Sequence, residues 1–225
     1  MVAFVAAEAR EFAGILRHAD KVVKRNWPID FAREVWLNGQ TAILVANGPG
    51  PKLADEAVDT ARGKEKITVL VSTGFCGGLN PVLGACDIFV ATEVNGIASL
   101  PIAGTSAKGG RLLSIDRVAS TQSEKNELGN TGAEAIDMEA AAVAERARQW
   151  NIPFYCIRVV TDTAWESFPL DFNRMRDASG RFSRSKIIAA ACRKPVAVFP
   201  ELMKLDRRCK DAAEALGDFI AGCRF

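Results

Sequence analysis

The chain has 225 residues, 48% of them hydrophobic and 25% charged, and its formal net charge is +2. This length and composition suit a globular protein with one large α/β domain or two small ones. The near balance of charge gives no electrostatic reason to expect nucleic acid as a partner.

The first half of the chain alternates apolar runs with helical patterns. Val2–Ala6 predicts a buried strand, and residues 7–19 predict an amphipathic helix with acids in its first turn. Two apolar runs then flank Asn38 and Gly39, a pair typical of a tight β-hairpin. A Gly-Pro-Gly-Pro turn leads into a predicted helix at residues 51–63, and residues 67–71 predict another buried strand.

The second half continues the alternation, and no linker or repeat divides it. The predicted elements are a loop at 72–79, a strand at 86–94, a loop at 95–110, a strand at 111–115, a capped helix at 120–132, a strand at 133–138, a helix at 139–150, an apolar strand at 152–160, and helices at 183–192 and 200–222. Several strands are apolar on both faces. We therefore predict a single α/β domain over residues 1–225, with a central mixed β-sheet flanked by helices.

The N-terminus and the cysteines indicate the compartment. The N-terminus turns acidic after a few apolar residues, unlike a signal peptide, and no window approaches the ~18 apolar residues of a membrane span. The six cysteines are dispersed without a Cys-x-x-Cys pair, as is typical of reduced thiols. We expect a cytoplasmic protein without a transmembrane segment.

The single histidine limits the available chemistry. His18 lies in a charged helical segment, and we predict that it is a surface residue. Metal binding and catalysis by a nucleophile paired with histidine are therefore disfavoured. Carboxylates remain as the candidate catalytic groups, and we expect no cofactor and no metal.

Ligands of open α/β sheets bind where strands end, and two early strand ends carry unusual residues. Glu8 and Glu11 follow the first strand, although the helix dipole alone accounts well for Glu8. Gly48 and Gly50 would let the backbone approach a ligand, although an ordinary turn fits equally well. The basic stretch at residues 173–186 is interpreted as a solvated loop rather than an anion site.

Two later strand ends carry acids. Asp137 resembles a helix cap and Glu139 lies in the first turn, with Met138 between them. A carboxylate at this position can accept hydrogen bonds from a pair of sugar hydroxyls. Asp162 follows a buried strand, where desolvation would raise its pKa and let it donate a proton. A turn-forming role is an equally good interpretation of Asp162 alone.

Three segments together resemble the nucleoside phosphorylase/nucleosidase superfamily. They are residues 2–12, residues 71–94 with the pattern Thr-Gly-x-x-Gly-Gly-Leu, and residues 135–164 with a Met-Glu pair and a strand-end Asp. These motifs occur in the order found in the superfamily, and the resemblance covers residues 2–164. Its members include purine nucleoside and uridine phosphorylases and the methylthioadenosine/S-adenosylhomocysteine nucleosidases.

The resemblance implies cleavage of the bond between a purine and C1′ of ribose. Glu139 would bind the ribose hydroxyls, with Met138 packed against the sugar. Asp162 would protonate the purine at N7. Glu11 would activate the attacking water, and Glu8 is the alternative if the register differs.

The resemblance also implies further substrate contacts and an assembly. The additional substrate-binding residues are Phe75, Cys76, Gly77, Asp137 and Val118, the last through backbone contacts to the purine. The partner is a small-molecule nucleoside. Relatives assemble as dimers or hexamers, so we expect a homo-oligomer.

Two departures from the superfamily bear on the reaction. Phe75 stands where phosphorylases keep a polar residue for phosphate, and the segment 48–52 holds Lys52 but no arginine, which favours hydrolysis over phosphorolysis. The connection after the strand at 86–94 is short, which predicts that the substrate site is open around the 5′ position of the ribose. Together with the segment 169–182, this resembles the hopanoid-associated phosphorylase subgroup and implies a 5′-substituted adenosine. The alternatives are a phosphate-dependent phosphorylase and an inactive nucleoside-binding protein.

Overall fold

Ten strands form one mixed β-sheet in the part of the chain that the structure, a computed structural model, describes: residues 1–193 and 195–225. The strands are β1 (Val2–Ala6), β2 (Lys21–Lys24), β3 (Phe31–Leu37), β4 (Gln40–Ala46), β5 (Val69–Gly78), β6 (Ile88–Val94), β7 (Ile97–Ala98), β8 (Lys108–Ser114), β9 (Ala135–Asp137) and β10 (Phe154–Asp162). The prediction of an α/β fold around a mixed sheet is confirmed.

Helices cover the sheet on both faces. They are α1 (Ala13–His18), α2 (Pro51–Lys64), α3 (Gln122–Gly129), α4 (Ala140–Trp150), α5 (Arg184–Arg193) and α6 (Pro195–Ala221), with short 3₁₀ helices at Ala9–Phe12 and Phe172–Met175. Helices α2 and α4 pack on one face, and α1 and α6 pack on the other. In the described part of the chain, no helix combines the length and apolarity needed to span a membrane.

Five of the strands close into a ring. β10 pairs with β6 on one side and with β5 on the other, and β8 and β9 connect β6 back to β5. β1 runs parallel to β5, and β4, β3 and β2 extend the sheet beyond β1. Because β1, β5 and β10 are parallel, their carboxyl ends meet at one edge, where ligands of such sheets bind.

The predicted loop at residues 72–79 is wrong, because most of it belongs to strand β5. This strand continues to Gly78, and its register with β10 runs from Leu70 opposite Phe154 to Gly77 opposite Asp162. Glycines weaken a strand when considered alone, but pairing with β10 along this segment and with β9 at Gly77 and Gly78 overrides that preference here. The glycine-rich segment is therefore part of a strand in the five-stranded ring rather than a loop.

Two other predictions need correction. The helix expected at 7–19 begins instead as the 3₁₀ helix Ala9–Phe12, whose start is capped by a hydrogen bond from the N–H of Glu8 to the Glu11 carboxylate at 2.7 Å. The loop expected at 95–110 contains β7 and the start of β8. The hairpin at Asn38 and Gly39 is as predicted, with both residues at positive φ.

His18 lies on the surface, as predicted. Its Nε2 atom lies 2.6 Å from Oδ1 of Asp218, near the end of α6. All six cysteines are free thiols.

Close contact between α1 and α6 gives a test of the packing that supports the site. A Cβ atom at Gly217 would overlap the backbone of Gly14, whereas a Cβ atom at Gly63 in α2 would meet nothing within 4 Å. We expect Gly217→Ala to lower the free energy of unfolding by about 2 kcal/mol and the melting temperature by roughly 4–8 °C. The matched variant Gly63→Ala should be unchanged or slightly stabilised. Equal melting temperatures for the two variants would contradict this packing.

Candidate active site

Four of the predicted carboxylates are buried at the edge where β1, β5, β9 and β10 end. The exposed fractions are 3% for Glu11, 6% for Asp137, 5% for Glu139 and 7% for Asp162. Acidic residues are almost never this buried unless they are paired or hydrogen-bonded. In the described residues, no group of three or more His, Cys, Asp or Glu side chains is arranged to hold a metal ion.

Glu11 is held against the backbone of β5. Its Oε2 accepts a hydrogen bond from the N–H of Phe75 at 2.8 Å, and its Oε1 accepts the bond from Glu8. Gly74, at φ 127°, makes this approach possible, because any Cβ there would overlap the Glu11 carboxylate. Burial raises the pKa of Glu11 to about 7, although the Phe75 N–H opposes the rise. Such a carboxyl can accept a proton near neutral pH.

Glu8 has a different environment. It is partly exposed and forms an ion pair with Arg10 at 2.7 Å. The guanidinium of Arg10 in turn lies 5.7 Å from the centre of the half-buried Phe75 ring. Of the two candidate bases, Glu11 is therefore the one that lies within the buried cluster.

Asp137 and Glu139 occupy the start of α4 but make different contacts. The helix begins at Ala140 with Glu139 as its N-cap residue, so the predicted positions of Asp137 as the cap and Glu139 in the first turn are wrong; Oδ2 of Asp137 nevertheless accepts from the N–H of Ala140 at 2.9 Å. Its Oδ1 has no hydrogen-bond partner among the described residues. Glu139 accepts from the N–H of Gly50 at 2.8 Å. Burial and then the charge of Asp137 raise the pKa of Glu139. Met138 between them is half-buried.

Arg158 lies beneath these acids and was missed in the sequence. Its guanidinium is fully buried, forms an ion pair with Asp137, and donates to the Thr73 carbonyl at 2.5 Å and to the Ser72 hydroxyl at 2.6 Å. The segment 152–160 was interpreted as continuously apolar although it contains this residue. A charge inside a strand buried on both faces requires a carboxylate partner, and that requirement was the available signal.

Asp162 is the last residue of β10 and faces a second missed cation. Its Oδ2 lies 2.5 Å from Nζ of Lys125, and its Oδ1 accepts from the hydroxyl of Thr161 at 2.9 Å. Lys125 belongs to α3, which the sequence predicted only as a capped helix. Burial raises the pKa of Asp162, in the predicted direction, and Lys125 opposes the rise.

Three further predicted site residues, Gly77, Cys76 and Val118, have well-defined surroundings. A Cβ atom at Gly77 would lie 2.9 Å from Oδ2 of Asp162. Cys76 is buried, and this burial raises its pKa well above the ordinary value, so it is a neutral thiol. Val118 donates its N–H to Oδ1 of Asn173 at 2.8 Å, and its carbonyl accepts from Nδ2 of Asn173 at 2.9 Å. Asn173 was not singled out in the sequence.

The basic stretch at residues 173–186 is not simply a solvated loop, as the sequence suggested. Two of its arginines approach the Gly-Pro-Gly-Pro turn. A Cβ atom at Gly50 would lie 2.9 Å from the Arg176 guanidinium, and one at Gly48 would lie 3.2 Å from the side chain of Arg181. Arg176 forms an ion pair with Asp116 at 2.8 Å. Arg181 binds Asp30 at 3.0 Å and Asn47 at 3.1 Å. Lys52 is exposed.

The sequence and the fold are similar to those of known proteins. A family model described as the phosphorylase superfamily matches residues 104–187. A 5′-methylthioadenosine/S-adenosylhomocysteine nucleosidase of Bacillus licheniformis is 25% identical over 193 aligned residues, covering 68% of this chain and 81% of the relative.

Solved structures show the same fold. The nucleosidase of Neisseria meningitidis, in complex with methylthio-immucillin-A, has a TM-score of 0.74 at 21% identity and covers 98% of this chain and 96% of its own. A putative nucleosidase of Borrelia burgdorferi bound to adenine has a TM-score of 0.73 at 16% identity, covering 98% of both chains. In sequence and in fold, the protein is therefore similar to the phosphorylase superfamily and to the nucleosidases within it.

The buried Glu11 carboxyl predicts a specific dependence of stability on pH. Its pKa is about 7 in the folded protein and 4.5 ordinarily, so the folded state binds more protons between these values. The free energy of unfolding should therefore fall as pH rises from 4.5 to 7, by on the order of 3 kcal/mol from this group. Glu11→Gln removes the titration and should flatten that part of the curve. Denaturant unfolding of both proteins from pH 5 to pH 8 measures the difference. Parallel curves would contradict the raised pKa.

Proposed function

We propose that this protein hydrolyses the N-glycosidic bond of an adenine nucleoside. The observation that carries the proposal is the placement of two buried acids along one stretch of β5. The carboxylate of Glu11 abuts Gly74 and the N–H of Phe75, while the carboxylate of Asp162 abuts Gly77. A proton acceptor and a proton donor thus flank the same four residues of backbone, as cleavage of a bond between a sugar and a base requires.

Each carboxylate has a task in this reaction. Glu11, with its pKa near neutrality, takes a proton from the attacking water. Glu139 accepts a hydrogen bond from a ribose hydroxyl through Oε2, because its Oε1 already accepts from the N–H of Gly50. Asp162 directs a proton to N7 of the purine, because an unprotonated purine is a poor leaving group. The carboxyl oxygens around the sugar also carry partial negative charge, which stabilises the developing oxocarbenium ion.

The backbone of Val118 supports adenine as the base. The N–H and C=O of this residue are both bound by the side-chain amide of Asn173. One edge of adenine carries the same pair as this amide, a ring nitrogen that accepts and an amino group that donates. Hypoxanthine and guanine carry the reverse pair on that edge. We propose that adenine takes the place of the Asn173 amide when substrate binds.

Water is favoured over phosphate as the attacking group. The side chain of Phe75 cannot donate to an anion, and its N–H is already bound to Glu11. One observation favours the alternative, a phosphorylase: Arg176 and Arg181 lie beside Gly50 and Gly48. Both arginines are bound to acidic residues, so phosphate would have to displace Asp116 and Asp30.

We further propose a large apolar 5′ substituent, such as a hopanoid. The short connection between β6 and β8 and the half-buried ring of Phe75 support this assignment. A homo-oligomer in the cytoplasm remains our expectation. An inactive nucleoside-binding protein is disfavoured, because burying Glu11, Glu139 and Asp162 together is costly and such clusters of acids with raised pKa values are typical of active sites.

Release of free adenine from a panel of 5′-substituted adenosines tests the function. We expect equal rates with and without phosphate, and a loss of about 10²–10⁴-fold in kcat for Asp162→Asn with little change in KM. The asparagine keeps the shape of the side chain but cannot pass on a proton. The 5′-apolar members of the panel should be preferred over adenosine and methylthioadenosine. Full activity of Asp162→Asn, or release only when phosphate is added, would contradict hydrolysis assisted by Asp162.

Substitution of Asn173 tests the base site. Asn173→Ala frees the backbone pair of Val118, so adenine should bind up to about tenfold more tightly in calorimetry, with hypoxanthine little affected. The matched control is Arg174→Ala in the same 3₁₀ helix, whose side chain is 84% exposed and contacts Asp171. Weaker adenine binding by the Asn173 variant would mean that the amide organises the site instead of occupying it.

A further inference from the structure

Lys125 and Asp162 form an ion pair that is almost completely shielded from water. The side chain of Lys125 is 1% exposed and that of Asp162 is 9% exposed, and Nζ lies 2.5 Å from Oδ2. Nζ also donates to the carbonyl of Thr163 at 2.8 Å and lies 5.4 Å from the centre of the Phe168 ring. Lysine is rarely buried to this extent. Its ammonium group is therefore fixed in one place, with the carboxylate of Asp162 as its acidic partner.

Each oxygen of Asp162 has a donor beside it in the free protein. Oδ2 accepts from the Lys125 ammonium and Oδ1 from the Thr161 hydroxyl, which is the arrangement of a carboxylate paired with a cation. A carboxylate in this state has no proton of its own to give to a leaving base. The proton that the reaction needs is nevertheless one hydrogen bond away.

The other charged and titratable groups around Asp162 do not supply that proton. Glu166, which follows β10, and Arg208 of α6 lie near Asp162 but form an ion pair with each other at 2.8 Å. The thiols of Cys76 on β5 and Cys209 on α6 are buried, and this burial raises the pKa of each. Lys125 is the cation whose hydrogen bond ends on the Asp162 carboxylate.

We propose that Lys125 positions Asp162 and supplies, through it, the proton that the departing base takes at N7. This inference rests on the proposed function. As the bond from C1′ to the base breaks, its electron pair moves into the base, and N7 accepts a proton from Asp162. Asp162, a carboxylate before the reaction, draws this proton from the Lys125 ammonium across the 2.5 Å contact, so it is a carboxylate again afterwards and Lys125 becomes a neutral amine. Solvent returns one proton to the pair after the product leaves.

A purely structural role explains the pair less well. Buried ion pairs can often be replaced by apolar residues of similar volume without loss of stability. The end of β10 and the buried face of α3 could therefore pack through apolar side chains alone. What the lysine adds is an ammonium group that donates directly to the carboxylate of Asp162.

The test compares the pH profiles of Lys125→Met and the wild-type protein. Without Lys125, whose charge opposes the rise in the pKa of Asp162, this buried carboxyl can carry its own proton but loses it as the pH rises through its raised pKa. We expect kcat for the preferred adenine nucleoside to fall about 100-fold at pH 8.5 but much less at pH 5.5, with KM nearly unchanged. Lys64→Met, at an exposed position of α2, is the matched control and should follow the wild type at both pH values. A loss that is equal at the two pH values would overturn the proposal.

Two further measurements keep the test decisive if Lys125→Met is unstable. Lys125→Arg retains the charge but holds its proton too tightly to pass it on, so it should not restore activity at pH 8.5. Rescue by arginine would overturn the proton-supplying role. p-Nitrophenyl riboside has a leaving group that departs without protonation, and its cleavage should survive Lys125→Arg and Lys125→Met. Loss of that cleavage as well would indicate a structural role.

Failure of this inference is distinguishable from failure of the proposed function. Asp162→Asn should lose nucleoside cleavage at every pH and retain cleavage of p-nitrophenyl riboside. If Asp162→Asn behaves so while Lys125→Met matches the wild type, only the role of Lys125 is wrong. If Asp162→Asn cleaves nucleosides normally, the proposed function itself is wrong.

Discussion

The site depends on one buried guanidinium, that of Arg158. It has no exposure to water, and it joins Asp137 to the carbonyl of Thr73 and the hydroxyl of Ser72. Its positive charge also opposes the rise in the pKa of Glu11 and of Glu139. Without this cation, several carboxylates could not remain together in a dry interior. Removing one partner of such a pair typically costs about 3–5 kcal/mol, so the site and the fold share this interaction.

The second constraint is the lack of side chains along β5. Gly74 lets the Glu11 carboxylate reach the backbone, and Gly77 lets the Asp162 carboxylate do the same three residues later. This part of the strand is held by parallel pairing with β10 and, at Gly77, by antiparallel pairing with β9. Glycine would weaken a free strand, but here it brings two acids against one rigid element. A site built on a strand is positioned more accurately than one built on a loop.

The sequence predicted the acids of the site better than their partners. Glu11, Asp137, Glu139 and Asp162 follow predicted strands, and a strand end is a local signal that one sequence can carry. Arg158 and Lys125 acquire their roles only when β10 and α3 come together with acids distant in the chain, at positions 137 and 162. The closure of five strands into a ring depends likewise on the pairing of β10 with two strands far away in sequence. Patterns within a short segment of sequence do not indicate contacts between distant segments.

The most direct test of the central claim, that water and not phosphate receives the sugar, is the identity of the sugar product. The preferred adenine nucleoside is incubated with the protein in the presence of excess phosphate, and the products are separated and identified by mass spectrometry and phosphorus NMR. The account predicts free 5-substituted ribose and adenine in equal amounts, with no sugar phosphate. Formation of the sugar 1-phosphate would contradict it and would assign Arg176 and Arg181 to a phosphate site.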